Sequence, residues 1–148
     1  MDAPMTPTDH LTDWLDELEC ALLALDDAPV ECDGMTYALS VLLTDAGIPH
    51  HAYCGFVRDS RRQAVVSPHC WIALDSGEIL DLRLRMWLGD HDDIPHGVVQ
   101  VHDQAWLEYR GHRIDGAPLS RSILSVMTDG RIDQVRLPPP PQENRHGT

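Results

Sequence analysis

The stretch SPHCWIALDSGEILDLR, residues 67–83, constrains this chain more than any other, because it carries its own turn and therefore its own register. Apolar residues run on both sides of Asp75-Ser76-Gly77, the pattern of a β-hairpin with a short glycine-containing loop. A three-residue loop with Gly77 in the left-handed conformation pairs Leu74 with Glu78. Trp71 then lies opposite Asp81, and His69 is the diagonal neighbour of Asp81 on the same face. Such neighbours are roughly 7–8 Å apart at Cα, within reach of an imidazole–carboxylate hydrogen bond. Side chains alternate along a strand, so His69, Trp71 and Ala73 face one way and Cys70, Ile72 and Leu74 the other. A two-residue loop would turn Asp81 to the wrong face. The hairpin thus predicts a histidine–aspartate pair and raises the question of which third residue the pair serves.

Upstream the hydrophobic period changes from two to between three and four. Residues 9–25, DHLTDWLDELECALLAL, space Leu11, Trp14, Leu15, Leu18, Leu22 and Leu25 as one face of an amphipathic helix, and Asp26-Asp27-Ala28-Pro29 breaks it. A second helix is expected in CDGMTYALSVLLTDAG, with Met35, Leu39, Leu42 and Leu43 as its buried stripe and Gly47-Ile48-Pro49 as its stop. Downstream, HHAYCGFVR (50–58), GVVQV (97–101) and AWLEY (105–109) read as strands, DSRRQ as a polar loop, and PLSRSILSVMT as a last helix. The end, LPPPPQENRHGT, is proline-rich and then polar, so a single domain over 1–137 and a disordered or polyproline tail over 138–148 are expected. The order predicts an α+β fold with N-terminal helices packed on an antiparallel sheet.

Position singles out Cys32 as the third residue. It follows a turn signal and begins an apolar-striped helix, where unpaired N–H groups and the helix dipole stabilise a thiolate and can receive a developing oxyanion. A histidine near such a sulfur takes or shares its proton, and an aspartate on the other ring nitrogen sets tautomer and orientation. Cys32, His69 and Asp81 supply these three roles. Taken singly, a helix-start cysteine is also an ordinary packing residue, and a strand histidine an ordinary hydrogen-bonded one.

The run ECDGMTYALSVLLTDAGIPHHAYCGFV followed by PHCWIALDSGEILD resembles the transglutaminase-like branch of the papain-like cysteine protease superfamily over about residues 30–90. In that family a helix-initial Cys precedes a helix with a Gly-Ile-type stop, a strand, a His-x-Trp strand and a hairpin leading to Asp. The resemblance implies Cys32 as nucleophile, His69 as base and acid, and Asp81 as the orienting residue of a hydrolase or acyl transferase, of peptidase, amidase or deamidase type, that needs no cofactor. No Gln or Asn stands just before Cys32 as a second oxyanion donor. Tyr53, Trp71 or a backbone amide are the alternatives, with Trp71 also readable as core. Trp87 in RLRMWLG is a candidate wall of the substrate pocket, or a residue packed between strand and loop.

Charge narrows the partners. With 24 acidic against 11 basic residues the formal net charge is −13, which repels a nucleic-acid backbone and favours cationic or neutral substrates: a peptide, a protein side chain or a small amide. No stretch approaches the roughly 18 apolar residues of a membrane span, and the start lacks the pattern of a secretory signal, so a cytoplasmic protein is expected. The four cysteines form no CxxC pair and are expected as reduced thiols, with Cys20, Cys54 and Cys70 as buried small hydrophobes. His91, Asp92, Asp93 and His96 form an alternative metal-binding set, though an exposed acidic loop accounts for them without a metal. A non-catalytic module that keeps this fold to bind a partner protein is the other functional class the sequence allows.

Overall fold

The computed structural model describes residues 6–114 and 119–141. Helix α1 (Pro7–Leu22) starts in a capping box: the Thr6 hydroxyl accepts from the Asp9 N–H, and the Asp9 carboxylate accepts from the Thr6 N–H at 3.0 Å. A 3₁₀ turn over Leu23–Leu25 closes it, so the expected helix over 9–25 is present with a tightened last turn. Helix α2 (Cys32–Asp45) begins at Cys32 itself, and Gly47, with φ +73°, ends it in the left-handed conformation.

Five strands follow: β1 (His50–Asp59), β2 (Ala64–Leu74), β3 (Ile79–Asp81), β4 (Gly97–Val99) and β5 (Leu107–Ile114). They form an antiparallel sheet in the order β4-β3-β2-β1-β5, so the fold is α+β with the helices preceding the sheet. One face of the sheet packs Ala52, Ile72 and Leu74 against Leu18, Leu22 and Leu39 of the two helices. The opposite face buries Val57, Trp71, Leu84, Ile94 and Leu107 in a second cluster. Burial on both faces explains why Cys70–Leu74 is apolar at nearly every position while its side chains still alternate.

The strands and helices differ from expectation in three places, the first being β4, which stops two residues short of GVVQV because Val101–Asp103 turns as a 3₁₀ helix. β5 starts two residues later and runs five residues further than AWLEY, through Arg110, Gly111, His112 and Arg113. It is an edge strand, and charged side chains on an exposed edge hide its apolar period. A short helix α3 (Leu84–Leu88) follows Arg83, where no helix is expected, because five residues are too few to carry a helical period. The last helix, α4 (Arg121–Met127), is capped by the Ser120 hydroxyl and puts Leu124 into the helix-side core, so the C-terminal third completes that core.

The chain does not leave the domain at residue 137. Leu137 packs on the core, and the Trp14 indole N–H donates to the Pro139 carbonyl at 2.5 Å, which seats the start of the expected tail against α1. The missed signal is a carbonyl: proline loses its donor but keeps its acceptor. Residues 142–148 of that tail lie outside the described residues. Among the described residues, no helix is long and apolar enough to cross a membrane.

Candidate active site

The hairpin has the predicted loop. Gly77 stands at φ +107°, the Leu74 N–H donates to the Glu78 carbonyl at 2.8 Å, and Ile72 pairs with Leu80. That register carries Trp71 to the position opposite Asp81 and leaves His69 diagonal to it. His69 Nε2 and Asp81 Oδ2 are 2.7 Å apart, and both side chains are buried. The pair is held from three sides. The Arg83 backbone N–H donates to Asp81 Oδ1 at 3.0 Å, the Tyr109 hydroxyl donates to Oδ2 at 2.9 Å, and the Trp71 ring stacks on His69 with centroids 6.3 Å apart.

Cys32 comes to this pair from α2. β3 ends at Asp81 while β2 continues beyond it toward Ala64, which leaves the edge of β2 near Cys70 free for the start of the helix. Glu31, the residue before the helix, makes no side-chain cap, and the Asp33 carboxylate takes the Gly34 N–H at 2.7 Å. The half-buried Cys32 thiol is therefore at the positive end of a helix without a side chain of the capping residue over it. Burial pushes its pKa up, but the neighbouring His69 imidazole and the Cys70 backbone outweigh burial and Asp33, so the thiol is held below its ordinary value. For His69, burial favours the neutral ring, and Asp81 and Cys32 more than reverse it, so its pKa is raised to about 9. Nδ1 is buried with no hydrogen-bond partner among the described residues. With Nε2 taken by Asp81, Nδ1 is the nitrogen left for the thiol. Cys32, His69 and Asp81, chosen from far-apart stretches of the sequence, are thus brought together.

Two supporting residues were not foreseen. Tyr109 reaches Asp81 from β5, and burial first, with the neighbouring carboxylate, keeps its phenol protonated well above the ordinary range. No local pattern in AWLEY points there; only the pairing of β5 with β1 does. Buried Arg83 donates to the carbonyls of Val30 (2.7 Å), Ala28 (2.9 Å) and Leu82 (2.8 Å), tying the segment before Cys32 to the end of β3. Its place two residues after Asp81 is the available signal, since a buried arginine needs acceptors and a chain entering a helix offers free carbonyls.

Beside the thiol is an open groove of about 640 Å³. Cys32, Cys54 and Cys70 lie along it, Val65 and Pro68 form one side, and Trp87 and Leu88 contribute from α3. Of the three aromatics expected at the substrate, only Trp87 lines the groove. Trp71 and Tyr53 stack on one another with centroids 6.1 Å apart, and Trp71 is buried in the second core cluster behind His69. The cysteine expectation is corrected as well. Cys20 is exposed because it sits off the apolar stripe of α1, and Cys54 is only half-buried because it borders the groove; Cys70 is buried. Cys54 and Cys70 are cross-strand partners, and burial, with the thiols of Cys54 and Cys32 beside it, pushes the Cys70 pKa far up.

The alternative metal set does not converge. His96 pairs with Asp26 at 2.9 Å, Asp93 is bound by Arg61 and Arg62, and among the described residues no three His, Cys, Asp or Glu side chains form a metal-holding group. Compared with known proteins, the chain matches no family model, no curated protein and no solved structure.

Proposed function

We propose that this protein is a cysteine-dependent amide hydrolase or acyl transferase, built on a transglutaminase-like version of the α+β fold. The observation that carries the reading is the buried His69–Asp81 pair, whose remaining imidazole nitrogen is left for a thiol at the start of a helix. The Cys32 thiolate attacks the carbonyl carbon of an amide, and the developing oxyanion is received by first-turn backbone N–H groups of α2. The imidazolium of His69 gives its proton to the leaving nitrogen, the C–N bond breaks, and an amine departs from a thioester. Water, or an acceptor amine, then loses a proton to His69 as it attacks the thioester; the C–S bond breaks and the thiolate returns. Asp81 holds the ring in the orientation both transfers need.

Site-resolved alkylation tests the reading. Iodoacetamide labelling of the four cysteines, followed by mass spectrometry between pH 5 and 10, is expected to modify Cys32 well below pH 8 and to reach buried Cys70 last. In His69→Ala the Cys32 curve moves to higher pH. Labelling of Cys32 no faster than Cys20, unchanged in the variant, would remove the activated thiolate and with it the enzyme reading.

A further inference from the structure

The groove has a charge pattern that the acyl chemistry does not require. Glu31 and Asp33 flank the nucleophile, both are exposed, and both line the groove; among its lining residues there is no lysine or arginine. Among the described residues neither carboxylate forms an ion pair, while Asp26, Asp27, Asp45, Asp59, Asp93 and Asp133 elsewhere each face an arginine. Asp33 even opposes the chemistry, because its charge disfavours the thiolate one residue away. The rest of the groove is apolar and open: Val65 is 57% and Trp87 56% exposed, with Pro68 and Leu88 beside them. The groove opens on the half-buried Cys32 thiol, so that is where a ligand's reacting group has to arrive.

Building on the thiol chemistry above, we propose that the groove takes a basic, apolar peptide segment, with a lysine or arginine against Glu31 and Asp33 and an aliphatic side chain between Val65 and Trp87. A cation seated there offsets the two carboxylates at the moment the thiolate must form, so recognition and activation use one contact. The net charge of −13 draws such a segment in from solution and disfavours acidic ones.

The test separates binding from turnover. The probe is a fluorescein-labelled hexapeptide amide with one leucine and one arginine beside a glutamine, compared with the same peptide carrying citrulline or glutamate in place of the arginine. Binding is read by fluorescence anisotropy on the full chain as Cys32→Ser, where no thioester forms. The arginine peptide is expected to bind most tightly and to weaken as salt rises from 50 to 300 mM. In Glu31→Gln/Asp33→Asn it loses about tenfold in affinity, the effect of two exposed ion pairs, while the citrulline peptide is unchanged. Trp87→Ala weakens all three peptides. Equal binding of the arginine and citrulline peptides, or indifference to the double substitution in a variant whose circular dichroism is unaltered, overturns the proposal even if Cys32 proves reactive. Selective binding of the arginine peptide together with an inert Cys32 supports this specificity and sinks the enzyme reading instead.

Discussion

Asp81 does three things with two oxygens: it accepts from the Arg83 backbone, from the Tyr109 hydroxyl and from the imidazole of His69. Its charge is one of the forces that raise the His69 pKa to about 9. An imidazole whose folded pKa is raised contributes stability that is fully present below the unfolded value near 6.5 and disappears as pH rises through about 9. Cys32, held below its ordinary value, contributes in the opposite sense, so it is in Cys32→Ser, where that offset is gone, that the urea midpoint is expected to fall between pH 6.5 and 9.5. In Asp81→Asn that slope flattens, because the neutral amide no longer favours the imidazolium, and the ring resonances of His69 in NMR titrate at lower pH than in the wild type. A titration of His69 unmoved by the substitution would assign its shift to Cys32 alone. Turnover of an amide should share the alkaline limb, since the leaving nitrogen needs the His69 proton.

At the scale of elements, the site depends on how α2 meets the end of β3. The segment from Ala28 to Glu31 has to deliver Cys32 to the free edge of β2, and Arg83 holds it there through the carbonyls of Ala28 and Val30. Burial weakens the protonation of this guanidinium, which Asp26 partly restores at 3.4 Å. Arg83→Lys keeps the charge but not the planar fork of donors. It is expected to cost about 3 kcal/mol, the scale of a buried charged group that loses part of its hydrogen bonding, and to slow Cys32 alkylation at pH 7 with His69 intact. Denaturant titration measures the first effect and site-resolved labelling the second; full reactivity in a destabilised variant would make Arg83 purely structural.

For the molecule as a whole, an acidic surface and a doubly buried sheet divide the work. The sheet core positions the site, and the unpaired acids outside it set the field around the groove. The proline segment belongs to the first of these. Ending the chain at Leu137 removes the carbonyl that receives the Trp14 indole and uncovers Trp14 and Leu11. A loss of about 1–2 kcal/mol follows from one hydrogen bond and the exposed apolar area. The thermal midpoint should drop by roughly 2–4 °C for each of those kilocalories. An unchanged midpoint would return residues 138–141 to the status of a dispensable tail.

Much of this was legible in advance because it is local. Helix period, the stop at Gly47, and the turn chemistry of Asp75-Ser76-Gly77 act within a few residues, and the hairpin register alone was enough to direct His69 toward Asp81. The sequence by itself therefore determined two helices, a hairpin and a histidine–aspartate pair on one face. The approach of Cys32 to that pair, the Tyr109 hydroxyl on Asp81, the Arg83 tie beneath the helix start and the groove that Trp87 lines were decided only by the tertiary structure. Each joins segments far apart in the chain, and the energy that selects it is packing and hydrogen bonding between elements, which leaves no period within either partner.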